Sequence, residues 1–244
     1  MALNVSIVCL AFHPRLAATR PFLQNTRARC TPPIMTAPSA ANALFTIGHS
    51  NLEIKDYLQI LVTYGIKLVG DVRSRPGSYR FPQFNRESLE ECLRDAGLRY
   101  EFLGETLGGR PEDPRMYFAD GRVNYEARRR ARDFQAEIGH VLKRTEESGI
   151  VLMCAEEDPL ECHRFLMICP ALVERGAEPL HIRRGGILES QAEAEDRLLK
   201  LHHLDAFASG SLFAGERSEA LEDALRRQAR DFAFQASPEA LEQY

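Results

Sequence analysis

The segment IVLMCAEEDPLECHR, residues 150–164, decides the fold class. Five apolar residues ending at Cys154 have the length and character of a buried strand. Asp158 is typical of a helix N-cap, Pro159 is favoured at the first helical position, and Glu161 stands three residues after the cap. A buried strand followed closely by a helix start predicts a βα unit.

The same alternation of short apolar runs and amphipathic stretches continues from residue 44, which is typical of a parallel sheet built from βα units. We predict strands at 44–48, 67–72, 99–103, 150–154 and 179–182. The sequence therefore predicts a three-layer α/β domain of about five mostly parallel strands with helices on both faces, followed by a C-terminal helical appendage.

The helices are predicted from their caps and apolar stripes. The spacing of Ser50 and Glu53 predicts a capping box for the first helix. The helix after the fourth strand should run from residue 158 to 175, bend at Pro170 and end at Gly176. Further helices are predicted at 86–96, 125–148, 191–204 and 216–234.

Composition limits the class of protein. The 244 residues can bury one substantial core, and a net charge of -4 gives no overall attraction to nucleic acid or anionic membranes. No apolar run approaches the roughly 18 residues of a membrane-spanning helix, so we expect a soluble protein with no membrane partner. The six cysteines lack the spacing of a secreted disulfide framework, which favours a reducing, cytoplasmic location.

The N-terminal segment differs from the rest of the chain. Residues 1–52 contain no Asp or Glu but include Arg15, Arg20, Arg27 and Arg29, as in a mitochondrial transit peptide. An unstructured extension upstream of Met35 is an equally good interpretation. We divide the chain into a disordered leader or extension at 1–42, an α/β core domain at 43–186 and a helical appendage at 187–244.

Reactive residues stand where the predicted strands end. Ligands of open parallel sheets bind beyond the carboxyl ends of the strands, because loops and helix N-termini meet there. We therefore expect a polar site that draws on each strand in turn: His49, Asp71 with Arg73, Glu105, Cys154 with Glu156, and His181 with Arg183.

Six motifs, in this order, resemble the family catalogued as domain of unknown function 488. They are TIGHSN (46–51), DVRSRPGS (71–78), FPQFN (81–85), YEFLGETLGGR (100–110), CAEEDPLECHR (154–164) and HI (181–182). Counting parts of the tail, the resemblance covers residues 44–235. It implies a fold and a candidate pocket far more than an activity.

The segment CAEEDPLECHR has three interpretations. Cys154 can be a nucleophile whose thiolate is stabilised by the helix start, His163 or Arg164. Cys154, Cys162 and His163, with Glu156 or His181, can bind zinc or another metal. Alternatively, both cysteines are packed core residues. Glu156 is the stronger candidate, as a carboxylate that faces the cleft.

The other motifs also have two interpretations each. His49 can be a general base or ligand, or can bond backbone atoms. Arg73 and Ser74 can bind a phosphate or carboxylate with Asp71 as the orienting group, or Asp71 and Arg73 can form a structural ion pair.

The loop RPGSYRFPQFN, residues 75–85, supplies Arg80 and Asn85 together with aromatic residues that can stack on a base, whereas Phe81 and Phe84 can also be core residues. The basic run 127–132 is either a solvated helix face or a phosphate contact.

The leading hypothesis is an enzyme acting on a nucleotide, a nucleic-acid base or another phosphorylated small substrate. Glu156 or His49 would be the acid–base group, with Arg73 and Arg164 binding the anion. The alternatives are a non-enzymatic nucleic-acid-binding module, a rhodanese-like sulfurtransferase and a metal-binding protein. The sequence names no cofactor and no oligomeric state.

Overall fold

The computed structural model describes residues 43–207 and 216–237, so the predicted leader at 1–42 lies outside the described residues. The strands are β1 (Leu44–Gly48), β2 (Leu68–Asp71), β3 (Arg99–Phe102), β4 (Ile150–Cys154), β5 (Leu180–Arg183) and β6 (Ile187–Ser190). They form one sheet in the order β3-β2-β4-β1-β5-β6. Every neighbouring pair is parallel except β5 and β6, which are antiparallel. The mostly parallel α/β fold predicted from the sequence is confirmed.

The sixth strand was not predicted. Gly185 and Gly186 both have positive φ, 76° and 74°, and this left-handed backbone lets the chain reverse between β5 and β6. β6 begins at residue 187, where the sequence analysis places the start of the appendage, and it pairs with β5 along its whole length.

The helices are α1 (Ile54–Thr63), α2 (Arg86–Asp95), α3 (Gly104–Leu107), α4 (Tyr125–Arg130), α5 (Arg132–Glu147), α6 (Cys169–Val173), α7 (Gln191–Leu201) and α8 (Arg217–Phe232). Within 43–207 and 216–237, none of them has both the length and the apolar character that a membrane span requires.

The sheet has a core on each face. β4 shows the division, since successive side chains of a strand point to opposite faces. Val151 and Met153 pack in one core with residues of α1 and α2, whereas Leu152 and Cys154 pack in the other with residues of α5, α7 and α8. Helices therefore cover both faces, as predicted.

Two predictions about helix starts and continuity are wrong. Ser50 does not cap α1: it has a left-handed φ of 44°, and the residue before the helix is Glu53, which makes no side-chain cap bond. The helix predicted at 125–148 is broken at Ala131, whose ψ of 141° is extended. Arg128, at the end of α4, reaches across this break to Asp133 in α5.

The continuous helix predicted at 158–175 is also wrong. Asp158 does cap a helical turn, but only the short 3-10 turn Pro159–Glu161, and Cys162 then returns to extended backbone with φ -134° and ψ 141°. A π-helical turn, Arg164–Ile168, follows and leads into α6. Gly176, with a φ of 83°, ends the segment at the predicted position. The break matters because it turns Cys162 toward the end of β4.

Candidate functional site

The end of β4 carries a cluster of reactive side chains. The Cys154 thiol donates to Glu156 Oε2 at 3.1 Å. His163 Nδ1 lies 3.7 Å from the Cys154 Sγ and 3.8 Å from the Cys162 Sγ. We call Cys154, Glu156, Cys162 and His163 the thiol cluster. It brings together four residues that the sequence analysis singled out.

The imidazole of His163 is held in one orientation. Its Nε2 lies 2.9 Å from the carbonyl oxygen of Val72, the residue after β2. Because a carbonyl only accepts, Nε2 carries a proton, and Nδ1 is directed toward the two sulfurs. The backbone of Gly109 packs against the ring, so that a Cβ there would come within 2.9 Å of His163 Cγ.

A buried cation adjoins the thiol cluster. Arg164 is 1% exposed, and its guanidinium donates to the carbonyl oxygens of Glu156 at 2.6 Å and Glu157 at 2.8 Å, while its Nε has no partner. Its backbone N–H donates to the Cys162 sulfur at 3.4 Å. A buried guanidinium needs a compensating negative charge nearby, and a thiolate can supply it.

The two thiols differ in their tendency to ionise. Burial alone would raise the pKa of the Cys162 thiol, but its hydrogen bond with Cys154 and the charges of Arg164 and His163 hold that pKa well below its usual value. Burial and the neighbouring Cys162 raise the pKa of Cys154. The pair is thus suited to hold one thiolate and one thiol in the absence of other ligands.

Glu156 connects the thiol cluster with solvent. The residue as a whole is exposed, but its carboxylate end lies against the Cys154 thiol. Burial of that end and the charge of Cys162 raise the pKa of the carboxyl group. His163 is half-buried, so solvent reaches the thiol cluster from the side of Glu156 and His163.

An ionic network holds the loop that follows β4. The carboxylate of Asp158 pairs with Arg197 at 2.8 Å and with Arg183 at 3.2 Å, and Arg183 also pairs with Glu157 at 3.1 Å. The sequence analysis placed Arg183 at a strand end but missed Arg197, because nothing in the sequence links α7 to this loop.

Three other strand-end residues, His49, Asp71 and Arg73, belong to a second cluster, on the other face of the sheet. Arg73 forms a buried ion pair with Asp71 at 2.6 Å and donates to the Phe84 carbonyl at 2.9 Å. Its third nitrogen lies 3.3 Å from His49 Nε2, and the Tyr100 hydroxyl donates to Asp71 at 2.9 Å. We call His49, Asp71, Arg73 and Tyr100 the arginine network. Tyr100 was missed by the sequence analysis as a functional partner.

Within the arginine network, both ring nitrogens of His49 have hydrogen-bonding partners, and its ring is stacked on an aromatic side chain. Its Nδ1 donates to the Ser50 carbonyl oxygen at 2.9 Å, and its ring stacks on Phe84 with centroids 4.2 Å apart. Burial, assisted by the charge of Arg73, lowers the pKa of His49 to about 4. The neutral imidazole therefore accepts from Arg73 and donates to the backbone, and it holds the start of the loop at 74–85 in place.

The other predicted site residues have mostly structural contacts. Ser74 Oγ accepts from the Arg110 N–H at 2.9 Å, and Asn85 Oδ1 accepts from the Ser78 N–H at 2.6 Å. His181 is fully buried and bonds to Thr46 and Gln191. Arg80 is exposed, with its guanidinium 5.6 Å from the Phe81 ring centroid. His181 thus has its hydrogen-bonding partners away from the thiol cluster.

Three residues of the thiol cluster have the composition of a metal site. The ligand atoms of Cys154, Cys162 and His163 all lie within 4.8 Å of one another. The set can therefore ionise a thiol, exchange a proton or bind a soft or borderline divalent cation.

The fold and the site together define a class: a three-layer α/β protein with a cysteine–histidine–glutamate cluster at the strand ends. Residues 53–168 match the model of the family described as Domain of unknown function DUF488. The matched segment includes the whole thiol cluster. Comparison with curated proteins gave no match, and comparison with solved structures gave none either.

Proposed function

We propose that the DUF488 domain is an enzyme acting on a nucleotide, a nucleic-acid base or another phosphorylated small molecule, with the thiol cluster as its reaction centre. One observation carries this proposal: at the end of a central parallel strand, Cys154 contacts the Glu156 carboxylate, and the His163 imidazole lies beside both Cys154 and Cys162. Ligand sites of open α/β sheets lie at that end.

Within the thiol cluster, Glu156 is the group best placed to exchange protons with a substrate. It is exposed to solvent, whereas Cys154 and Cys162 are only 3% and 2% exposed. A substrate that approaches from the Glu156 side therefore meets the carboxylate first and the half-buried His163 ring next.

The contacts of Arg73 and Arg164 argue against their binding a phosphate. The guanidinium of Arg73 is engaged by Asp71, Phe84 and His49, and both terminal nitrogens of Arg164 donate to backbone carbonyls. We assign anion binding instead to the exposed Arg75 and Arg80, in the loop that begins beside the thiol cluster.

Thermal shift over a panel of nucleotides, nucleosides and phosphorylated metabolites tests the proposal, because a ligand of the folded state raises its melting temperature. We expect at least one compound to stabilise the wild-type chain, and to be turned over by wild type but not by Glu156→Gln. Glu90→Gln, an exposed acid on α2, is the matched control and should behave as wild type. A panel without any stabilising compound, or equal turnover by both variants, would contradict the proposal.

Binding of single-stranded nucleic acid without turnover is a second candidate, favoured by Tyr79. Its side chain is fully exposed, between the exposed Arg75 and Arg80, so it can stack on a base while the guanidinium groups meet phosphates. An affinity for oligonucleotides that falls steeply with salt, and that weakens in Tyr79→Ala, would favour this function. An equal affinity in Tyr79→Ala would exclude the loop as the binding surface.

A further inference from the structure

We propose that Cys154, Cys162 and His163 bind one zinc ion, and that a fourth coordination position stays open beside Glu156. Zinc binding concerns the same thiol cluster as the proposed function but does not depend on it, because the cluster can bind the metal whatever the substrate of the enzyme is. The argument uses the distances within the cluster, the contacts of its ligands and the position of Glu156.

The distances match the edge of a zinc tetrahedron. Bonds of about 2.3 Å to sulfur and about 2.0–2.1 Å to nitrogen, at a tetrahedral angle, separate the two ligand atoms by about 3.6 Å. The observed Sγ–Nδ1 distances are 3.7 Å for Cys154 and 3.8 Å for Cys162. Two edges therefore match those of a zinc site, and all three ligand atoms lie within 4.8 Å of one another.

Both sulfurs of the thiol cluster lie near one nitrogen. His163 Nδ1 is at nearly the same distance from Cys154 Sγ and from Cys162 Sγ, and the Cys154 thiol also contacts Glu156. A central ion would bind all three ligand atoms at once.

The contacts around the ligands are those that metal sites use to orient them. His163 donates its other ring N–H to the Val72 carbonyl, which fixes the ring and leaves Nδ1 for the metal. The Arg164 N–H donates to the Cys162 sulfur. Two thiolates balance Zn²⁺, and the carboxylate of Glu156 balances the buried Arg164, so the loaded cluster is neutral overall.

The fourth position separates a catalytic zinc site from a structural one. Structural sites take four protein ligands, whereas catalytic sites keep a water in the fourth position. Glu156 Oε2 lies 3.1 Å from Cys154 Sγ, so the carboxylate would stand beside the metal and could exchange protons with a molecule bound at the open position. Two cysteines, a histidine and a non-ligand glutamate are also the set that zinc deaminases of nucleobases use. This last role for Glu156, unlike zinc binding itself, rests on the proposed function.

Metal analysis of the full chain tests the proposal directly. We expect protein purified under reducing conditions, treated with chelator, incubated with excess zinc and dialysed to retain about one zinc per chain. Cys162→Ser and His163→Ala should lose it. Cys92→Ser is the matched control, because Cys92 lies on α2 outside the thiol cluster, and it should retain zinc fully.

A second measurement needs no variant that could fail to fold. Cobalt(II) added to the chelator-treated wild-type chain should produce thiolate-to-cobalt charge-transfer absorption and the visible bands of a tetrahedral site. Glu156→Gln should leave zinc content unchanged, and loss of zinc in that variant would overturn the open fourth position.

Three results would overturn zinc binding. The first is reduced wild-type protein that retains no zinc and gives no cobalt spectrum, and the second is full zinc retention by folded Cys162→Ser and His163→Ala. The third is a Cys154–Cys162 disulfide that resists reduction. Zinc binding without any stabilising nucleotide would contradict the proposed function alone, and a chain that turns over a nucleotide but binds no zinc would contradict this inference alone.

Discussion

The carboxylate of Asp71 is completely buried and accepts bonds from the backbone N–H, Nε and one terminal nitrogen of Arg73, at 3.0, 2.9 and 2.6 Å, and from the Tyr100 hydroxyl at 2.9 Å. Asp71→Asn keeps the shape of the side chain but removes its charge, and it turns an NH₂ group toward one of these donors. The guanidinium of Arg73, itself only 6% exposed, is then left without a counter-charge. Removal of one partner of a buried ion pair costs about 3–5 kcal/mol, and we expect a loss of that size.

Urea denaturation followed by circular dichroism measures this loss as a shift of the midpoint at constant slope. Tyr100→Phe removes a single bond to the charged carboxylate and should cost about 1.5–3 kcal/mol. The double variant Asp71→Asn/Arg73→Met should be less destabilised than the sum of the single variants, since it removes the unpaired cation as well. Asp113→Asn, which breaks an exposed pair with Arg115, is the control and should unfold as wild type.

The reasoning would be refuted by a loss below about 1 kcal/mol in Asp71→Asn, a value ordinary for a surface substitution. It would also be refuted by strict additivity in the double variant, because contacting partners of a buried pair must show a coupling energy. In either case, the charge of Arg73 would have to be stabilised by something other than Asp71.

Two further predictions concern buried positions. His181 is fully buried beside Thr46, and burial lowers its pKa to about 4, from 6.5, so protonation favours the unfolded chain. The free energy of unfolding should therefore be highest above pH 6.5 and should fall by up to about 3 kcal/mol as the pH drops to 4. Urea melts across that pH range, in wild type and in His181→Gln, measure this fall. Equal slopes of stability against pH in the two proteins would contradict the prediction. Gly48→Ala places a methyl group on the carbonyl of Glu156 and should lower the free energy of unfolding by about 1–3 kcal/mol or more. Gly77→Ala, whose methyl group meets open space, should lower it little. Equal urea melts for these two variants would show that β1 and the loop after β4 can separate.

The strands, and the position of the reactive residues at their ends, could be predicted because both follow from local sequence. Apolar runs such as residues 150–154 define strands, and their parallel arrangement sends Cys154 and Asp71 to one edge of the sheet. β6 could not be predicted in this way. It has four residues, and its partly exposed positions at the sheet edge give no apolar run.

The contacts of Arg164 and Tyr100 could not be predicted, because they depend on which acceptors the fold places near each side chain. Arg164 follows His163 in the chain, and the π-helical turn directs it into the core, where two backbone carbonyls bind it. Tyr100 reaches Asp71 because β3 lies beside β2, with Val69 opposite Tyr100. Neither contact leaves a periodic signal in the sequence.

The thiol cluster and the arginine network share one stretch of backbone. The carbonyl of Val72 accepts from His163, whereas Asp71 and Arg73, on either side of it, belong to the arginine network on the opposite face of the sheet. A zinc ion that fixes His163 would therefore also fix this stretch, and loss of the Asp71 charge should loosen His163.

Asp71→Asn should thus bind zinc more weakly than wild type in competition with a chelating dye, although Asp71 contacts none of the three ligands in the described structure. Asp113→Asn should bind zinc as wild type does. If folded Asp71→Asn has wild-type zinc affinity, the two clusters are energetically independent, and the shared backbone at Val72 transmits nothing between them.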